Sequence, residues 1–188
     1  MDAKKKWNEK YKEKLLKSEE PILNVRLQEL SNYLNGGTAL DLACGLGGNS
    51  TFLANLGYRV EAVDISEVAI EYLQLLSDQK QLSIHPRISD LTDWQSLDFL
   101  ENSFDLVVIT YYLDRSIFPL VESILKENGY FFMETFYLSP KSEQKVSSQY
   151  KLKSNELLSE FGDWHVLYYE ENELEGRQTI FCRKKHKE

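Results

Sequence analysis

The sequence predicts an α/β fold built on a mostly parallel sheet, and three observations support this. Five short apolar runs alternate with amphipathic segments of helical period, the pattern of repeated strand-helix-strand units. A glycine-rich turn joins the first run to the next helical segment. Near the end of the chain, two β-rich runs at 165–169 and 178–182 are joined by the polar stretch 170–176 and predict an antiparallel pair.

Two helices are predicted before the first strand. Residues 4–17 carry aromatic and leucine side chains at helical spacing among lysines and glutamates, which indicates an amphipathic helix. Pro21 opens a second helix, whose apolar period runs to Leu34. Gly36 and Gly37 then end it, as glycine does at helix C-termini.

The alternating part of the chain is divided by its hydrophobic pattern. The predicted strands are 38–43, 58–63, 83–88, 104–110 and 130–135. The predicted helices between them are 50–56, 67–76 and 118–126, the last closed by Asn128-Gly129. The polar, serine-rich stretch 136–153 has little periodicity and is either a substrate cover or a surface loop.

Length and cysteine content limit the class of protein. With 188 residues, of which 42% are hydrophobic, the chain can bury one substantial core, and we expect a single domain over 1–188. Cys44 and Cys182 are too few for a disulfide framework, and the residues after Met1 do not resemble a signal peptide. No apolar run approaches the roughly 20 residues that cross a bilayer. We therefore expect a cytoplasmic protein with no membrane role.

The charge of the chain bears on its partners. A formal net charge of -8 argues against a general nucleic-acid binder, which would need a basic face. Basic clusters at 4–6 and 183–187 could form a phosphate or RNA patch, but solvated terminal charge is the favoured interpretation. We expect a small-molecule partner, no nucleic acid, and a monomer or weak homodimer.

The most informative stretch is the glycine-rich turn, Leu40-Asp41-Leu42-Ala43-Cys44-Gly45-Leu46-Gly47-Gly48-Asn49. Such turns, at the carboxyl ends of parallel strands, are where α/β sheets bind ligands. A phosphate-binding P-loop is excluded, because Gly48 is followed by Asn49-Ser50 rather than by Lys and Ser or Thr. A dinucleotide fingerprint fails because Ser50 occupies the position of its third glycine.

S-adenosylmethionine suits this turn better, since it carries an ammonium and a sulfonium and no phosphate. Asp41 would repel a pyrophosphate but would support the ammonium of this cofactor, directly or through water. Asp41 could instead cap the N–H groups of the turn. The turn residues predicted to contact the cofactor are Ala43, Cys44, Gly45, Gly47 and Asn49.

Acidic residues also end the second and third predicted strands. Asp64, nineteen residues after Gly45, is placed to accept both ribose hydroxyls, although Asp64 or Ser66 could merely cap the next helix. Asp90 could accept from the adenine amino group. The predicted adenosine site includes the neighbours Ile65, Ser66 and Leu91.

With these residues identified, the chain resembles the class I S-adenosylmethionine-dependent methyltransferases, and among them the tellurite-resistance-like small-molecule branch. The motifs that match are 41–47, Asp64, Asp90, 104–108 and 126–131. The resemblance implies a Rossmann-like three-layer fold, with a seven-stranded sheet whose last strand is antiparallel and helices on both faces. It also implies that 1–35, including Trp7 to Tyr11, forms an N-terminal helical cap over the cofactor site.

One departure from that family concerns the glycine turn. Ala43 stands where many members carry glycine. Since Gly45 and Gly47 remain, we expect the turn to keep its shape, with slightly less room at the methionine end of the cofactor.

Methyl transfer is an in-line displacement that positioning alone can accelerate strongly, so few acid-base residues are expected. The segment after the fourth strand supplies the candidates. Thr110 and Tyr111 are predicted to contact the cofactor, and Tyr112 and Arg115 are the predicted catalytic residues. Tyr111, Tyr112 and Arg115 could shape a pocket for a small anionic acceptor, unless the tyrosines are packing residues and Arg115 is a surface charge. Residues 134–137, after the fifth strand, form a second candidate segment.

No metal site is expected, because His85, His165 and His186 lack ligand spacing. Cys44 has no identifiable base and is interpreted as a packing residue. The acceptor is left open between a tellurite- or selenite-type oxyanion and a small organic molecule. Two alternatives to a methyltransferase remain: a cofactor-binding protein without catalysis and, less favoured, a nicotinamide-dependent oxidoreductase.

Overall fold

The computed structural model describes residues 2–142 and 144–185. Residues 1–98 and 99–188 form two compact units. The prediction of a single domain over 1–188 stays a prediction.

The first unit combines parallel strands with helices. Its apolar strand residues, such as Leu40, Leu42 and Val60, are fully buried. Leu53 of α3 and Leu73 of α4 are fully buried as well. The pairing is parallel from β1 to β2 and from β2 to β3. The elements are α1 (Ala3–Leu16), α2 (Val25–Glu29), β1 (Gly37–Leu42), α3 (Gly48–Asn55), β2 (Tyr58–Asp64), α4 (Glu67–Lys80) and β3 (Ile84–Ile88), with short 3₁₀ helices at Ser31–Tyr33 and Leu91–Leu97.

The second unit ends in an antiparallel hairpin. β4 and β5 pair in parallel, whereas β7 is antiparallel to both β5 and β6. Phe131, Phe132 and Phe181 are fully buried in its core. The elements are β4 (Phe104–Thr110), α5 (Phe118–Ile124), β5 (Leu125–Phe136), α6 (Glu156–Phe161), β6 (His165–Asn172) and β7 (Arg177–Arg183), with 3₁₀ turns at Arg115–Ile117 and Ser148–Tyr150.

The strands form one seven-stranded sheet in the order β3-β2-β1-β4-β5-β7-β6. The predicted sheet, with its antiparallel last strand, is thereby confirmed. The five predicted parallel strands are all present, and four of them agree with the structure to within one residue at each end. β5 starts earlier than predicted, at Leu125. None of the described helices is long and apolar enough to cross a membrane.

The predicted start of the second helix at Pro21 is wrong. The helix begins at Val25, with the Asn24 side chain accepting from the N–H of Leu27 at 3.0 Å, and Ile22 is 77% exposed. The backbone of the preceding segment instead lies against the start of α3, because a Cβ built on Gly48 would be 2.2 Å from the Ile22 carbonyl oxygen. Tertiary contact thus overrides the apolar period of this segment.

The helix predicted over 118–126 is two residues too long. α5 ends at Ile124, and the chain enters β5 at once, where Leu125 pairs with Phe104. The register then shifts, and Asn128, with φ of +62°, lies in the irregular stretch before the regular pairing resumes. Asn128-Gly129 therefore marks an irregularity within β5 rather than a helix end.

The basic cluster at 183–187 is not simply solvated. Lys184 is buried, and its ammonium donates to the carbonyl oxygens of Glu122 and Leu125 at 2.6 and 2.7 Å. A cation at these carbonyls stabilises the C-terminus of α5. Residues 186 and 187 of the predicted cluster, with His186, lie outside the described residues.

Candidate functional site

The glycine turn begins directly after β1 and ends at the first residue of α3. Ala43 has φ of +57°, a left-handed conformation that costs an L-residue free energy and that glycine adopts readily. Glycine would therefore suit this position well. The turn nevertheless forms with alanine there. Gly47 precedes α3 with φ of +81°.

Gly45 and Gly47 of the turn each lie against a different neighbour. A Cβ on Gly47 would lie 2.3 Å from a methyl group of Leu73, so this residue permits α4 to pack closely. A Cβ on Gly45 would lie 2.8 Å from the hydroxyl oxygen of Tyr11. The ring of Tyr11, from α1, therefore rests on the turn.

Asp41 is fully buried in β1, beside the turn. Its Oδ2 accepts from the Ser50 hydroxyl at 2.6 Å, while its buried Oδ1 has no hydrogen-bond partner within residues 2–142 and 144–185. Burial raises the pKa of the Asp41 carboxyl to about 7; the Ser50 hydrogen bond opposes this rise and the Asp64 carboxylate adds to it. An unpaired buried carboxylate oxygen is costly, and a cation or a donor would stabilise it.

Asp64, at the end of β2, holds the turn in place. Its Oδ2 accepts from the N–H of Gly45 at 2.9 Å, and its Oδ1 accepts from the N–H of Ser66 at 2.9 Å. Burial raises the pKa of the Asp64 carboxyl, and these backbone donors oppose the rise. A carboxylate has four lone pairs, so beside these backbone donors it can still accept from a ligand hydroxyl.

The helix α1 is attached next to the same strand ends. The Asn8 side-chain oxygen accepts from the Ser66 hydroxyl at 2.7 Å and from the N–H of Val68 at 3.4 Å, and Lys4 forms an ion pair with Glu67. Tyr11 is half-buried, and burial, with the nearby Asp64 carboxylate, raises the pKa of its hydroxyl. This hydroxyl has no hydrogen-bond partner in the described part of the chain.

The remaining predicted cofactor residues of the first unit differ in their surroundings. Asp90 is exposed, and one of its oxygens accepts from the N–H and the hydroxyl of Thr92 at 2.9 and 2.7 Å. Leu91 is buried and Ile65 half-buried. The Asn49 side-chain oxygen accepts from the N–H of Asn24 at 2.9 Å, so Asn49 holds the start of α2 against the start of α3.

Cys44 is half-buried in the turn. Burial, followed by the carboxylates of Asp41 and Asp64, raises the pKa of its thiol well above the ordinary value. A thiol that resists ionisation is a poor nucleophile, and this agrees with its interpretation as a packing residue.

In the second unit, Tyr111 follows β4 in the left-handed conformation, with φ of +56°. Its N–H donates to the Glu134 carbonyl oxygen at 2.8 Å, and its hydroxyl donates to Glu134 Oε1 at 2.8 Å. Glu134 is fully buried, and its Oε2 accepts from the Thr179 hydroxyl at 2.8 Å. Glu134 therefore holds both the backbone and the side chain of Tyr111.

Arg177 completes this arrangement. Its Nη1 donates to the Tyr111 hydroxyl oxygen at 2.9 Å and lies 3.5 Å from Glu134 Oε1. Its guanidinium carbon lies 5.1 Å from the centre of the Tyr111 ring. We call Tyr111, Glu134, Arg177 and Thr179 the Glu134 cluster.

Arg115 is bound to another element of the second unit. Its guanidinium makes a two-pronged ion pair with Glu156 of α6, including a 2.9 Å bond from Nη2, and also donates to the Lys151 carbonyl oxygen at 3.2 Å. Arg115 thus fastens the segment before α6. Tyr112 and Thr110 are half-buried, and the roles predicted for them and for Arg115 stay predictions.

Comparison with known proteins decides the family. The family model of the tellurite resistance protein TehB matches residues 4–180. The chain belongs to the TehB family.

Two TehB relatives from Haemophilus influenzae illustrate the likeness. A protein named as a probable S-adenosyl-L-methionine-dependent methyltransferase TehB is 28% identical over 147 residues, covering 74% of this chain and 50% of that protein. The crystal structure of H. influenzae TehB superposes with a TM-score of 0.75 at 25% identity, covering 87% of this chain and 63% of that one. The chain spans about half the length of the curated TehB relatives that it matches.

The fold is also shared outside the TehB family. The [4+2]-cyclase SpnF superposes with a TM-score of 0.69 at 15% identity, covering 86% of this chain and 81% of that one. This likeness concerns the fold alone, and it shows why the function must be argued from the site.

The Glu134 cluster also contains residues that sequence reasoning missed in this TehB family member. Glu134 fell within a candidate segment, and a single acid inside an apolar strand is a signal for it. Arg177 and Thr179 gave no such signal, because the register of β5 with β7 brings Thr179 opposite Glu134. Asn8 was within the predicted cap, but its bond to Ser66 depends on the docking of α1.

Proposed function

We propose that the chain is an S-adenosylmethionine-dependent methyltransferase that acts on a small molecule. The observation that carries this proposal is the buried Oδ1 of Asp41, which has no partner among the described residues and lies beside the glycine turn. The ammonium of S-adenosylmethionine would supply the missing donor and a positive charge. The names of the TehB relatives agree with this cofactor.

The charge of the strand ends distinguishes this cofactor from a dinucleotide. Asp41 and Asp64 are both buried, and the carboxylate of Asp64 raises the pKa of Asp41. A cationic ligand relieves the repulsion between the two carboxylates, whereas a pyrophosphate would add negative charge to it. The site therefore favours S-adenosylmethionine over NAD.

Other described groups fit the rest of the cofactor. The free lone pairs of Asp64 suit ribose hydroxyls, and Asp90 suits the adenine amino group. The Tyr11 hydroxyl, which has no partner in the described residues, suits the carboxylate of the amino-acid end. The docking of α1 on Ser66 and on the turn would cover the cofactor and exclude water from it.

The chemistry requires little of the chain beyond positioning. Held by Asp41 and Asp64, S-adenosylmethionine would supply an electrophilic methyl group on its sulfonium, and the sulfur would be left as a neutral thioether once the acceptor atom had taken the methyl group. Asp64 fixes the turn through Gly45, and this limits movement of the bound cofactor. Such positioning can contribute roughly 7–11 kcal/mol to the lowering of the barrier.

The small-molecule acceptor is supported by charge. The net charge of -8 gives no general attraction for nucleic acid. The test is methyl transfer from radiolabelled S-adenosylmethionine to two panels, one of selenite and tellurite and one of small phenols, thiols and amides. Labelled product from either panel supports the proposal. Cofactor binding without product from any acceptor would contradict it and would favour a cofactor-binding protein.

A further inference from the structure

A groove in the second unit lies where β6 begins and β7 ends. Its volume is about 660 Å³, within the roughly 300–1,000 Å³ of pockets that hold small molecules. None of the described residues that line it is acidic, although the chain carries 30 Asp and Glu residues. We call it the Arg183 groove, after its lining residues Asn128, Leu158, Trp164, His165, Arg183 and Lys185.

Arg183 is half-buried and has hydrogen-bonding capacity left over. Its Nη2 donates to His165 Nδ1 at 3.0 Å. Because a guanidinium can only donate, this bond places the proton of a neutral His165 ring on Nε2, where a ligand oxygen can accept it. Within residues 2–142 and 144–185, the other N–H groups of Arg183 make no hydrogen bond, and no carboxylate forms an ion pair with it. The guanidinium charge is therefore available to an anion.

Lys185 adds a second cation to the groove. It is exposed and forms no ion pair with the part of the chain that the structure describes. The adjacent Lys184 does not add to this charge, because its ammonium is bound by backbone carbonyls of the α5 end. Acidic residues line a neighbouring groove that shares Lys184 and Lys185, namely Glu101, Glu122 and Glu127. An anion is thus favoured on the Arg183 side of Lys185 and disfavoured on the other.

One wall of the Arg183 groove is aromatic. The half-buried Trp164 ring makes T-shaped contacts with the rings of Phe161 and Phe131, at centroid distances of 5.4 and 6.4 Å. Leu158, which is 37% exposed, also lines the groove. A fixed indole and an aliphatic side chain beside a cation suit a ligand with a flat, apolar body.

The Arg183 groove is separate from the Glu134 cluster. In the pairing of β5 with β7, Tyr130 lies opposite Arg183 and Glu134 lies opposite Thr179. These two pairs are four residues apart along each strand, which is about 13 Å in an extended chain. A small ligand in the groove would therefore not contact the Glu134 cluster.

We propose that the Arg183 groove is a second ligand site, which binds a small aromatic anion that carries a carboxylate or a phosphate. Arg183 and Lys185 bind the anionic group, and His165 donates to one of its oxygens. Trp164 and Leu158 pack against the aromatic ring. The groove shares no residue with the glycine turn or the Glu134 cluster, so this inference does not depend on the proposed function.

The direct test follows the indole N–H of Trp164 and the amide N–H of Gly162, which also lines the groove, in the assigned NMR spectrum of the full chain. The probes are benzoate and phenyl phosphate, with benzamide lacking the charge and acetate lacking the ring. Ionic strength is held constant, because salt screens such binding. We expect a saturable shift with an aromatic anion, and an affinity at least about tenfold weaker for benzamide and for acetate.

Arg183→Gln tests the cation directly by calorimetry. The matched control is Arg59→Gln, which removes the same charge from an exposed arginine of β2 in the first unit. We expect the first variant to bind the aromatic anion about tenfold more weakly and the control to change the affinity by less than about twofold. Equal weakening in both would show that net charge, rather than the groove, attracts the anion, and would overturn the proposal.

The outcomes with the unmodified chain decide the question. A response to benzoate alone assigns a carboxylate ligand, and a response to phenyl phosphate alone assigns a phosphate. If neither anion moves the two resonances, or if benzamide or acetate moves them at the same concentrations, the groove is not a site for an aromatic anion. An Arg183→Gln protein that unfolds leaves this criterion intact, because no variant enters it.

Discussion

The Oδ2 of Asp64 accepts a hydrogen bond from the N–H of Gly45 at 2.9 Å, so the end of β2 holds the turn that follows β1. A side chain nineteen residues away thereby fixes the backbone of the glycine turn. Such a hydrogen bond to a charged group contributes about 1.5–3 kcal/mol to stability. The residue predicted to bind ribose is therefore also part of the framework of the site.

Cofactor binding is predicted to depend on pH through Asp41, whose pKa in the free protein is raised to about 7. A bound ammonium favours the ionised carboxyl, so affinity for S-adenosylhomocysteine should rise with pH towards 7 and level off above it. Below 7 the loss approaches about tenfold per pH unit. Calorimetry between pH 5.5 and 8.5 measures this dependence.

The neighbours of Asp41 have different titration behaviour. Burial raises the pKa of the Tyr11 hydroxyl and of the Cys44 thiol, so neither ionises in this range. In Asp41→Asn, affinity for S-adenosylhomocysteine should no longer change with pH near 7. Only the dependence due to Asp64 should remain, at lower pH. An unchanged profile in this variant would exclude Asp41 as the group responsible.

Asp41 should also make the free energy of unfolding depend on pH: stability should fall as pH rises, whereas cofactor affinity should rise. Because its folded-state pKa is raised, Asp41 binds a proton more strongly in the folded than in the unfolded chain. Its contribution to stability is therefore lost as pH rises through about 7. The free energy of unfolding of Asp41→Asn, relative to that of the unmodified protein, should increase by at least about 1 kcal/mol between pH 5.5 and pH 8, as measured by urea unfolding. A constant difference between the two proteins would contradict this.

Gly47 is predicted to be required for packing as well as for its backbone conformation. Gly47→Ala would combine φ of +81° with a Cβ 2.3 Å from Leu73, whereas Gly57→Ala has φ of +86° and no atom within 4 Å. We expect the first to cost about 3 kcal/mol and the second about 1 kcal/mol. Urea denaturation of the pair isolates the packing cost, and equal losses would show that the contact with α4 does not matter.

Arg115 is predicted to stabilise the fold through Glu156. Glu156→Gln should cost about 0.5–1 kcal/mol, a small value because the Arg115 side chain is 45% exposed. The Arg115 hydrogen bond lowers the pKa of Glu156, so this contribution is present at neutral pH and is lost as pH falls through that pKa. Thermal unfolding of both proteins at pH 7 and pH 3 measures it. A loss that is as large at pH 3 would contradict the ion pair as its source.

Lys184 is predicted to be a structural cation. Lys184→Met leaves the carbonyl oxygens of Glu122 and Leu125 without this donor, which should cost about 2–3 kcal/mol. Lys185→Met, at the adjacent exposed position, serves as the control and should change stability by less than about 0.5 kcal/mol. Equal effects in urea unfolding would show that Lys184 does not cap α5.

Local patterns were enough to predict most of the fold. Alternating apolar runs located the strands, and the acids Asp41, Asp64 and Asp90 marked their carboxyl ends. The failures occurred where distant contacts decide the structure: the second helix begins only at Val25, after the Ile22 backbone has packed against Gly48, and Lys184 is buried against α5. Neither contact has a sequence signature.

The candidate functional residues of each unit were predictable to different degrees. The glycine turn is a local motif, so its residues could be named from their order. The Glu134 cluster instead depends on the pairing of β5 with β7, which brings Thr179 opposite Glu134. Register between strands that are far apart in sequence cannot be derived from a hydrophobic pattern alone.

Binding of S-adenosylmethionine at the glycine turn is tested by calorimetric titration with S-adenosylhomocysteine, with NADH as comparator and Asp64→Ala as variant. We predict micromolar binding of S-adenosylhomocysteine, no binding of NADH, and a loss of at least about tenfold in the variant, since Asp64 both accepts from the ligand and holds Gly45. Binding of NADH alone, or of neither ligand, would show that the turn is not an S-adenosylmethionine site.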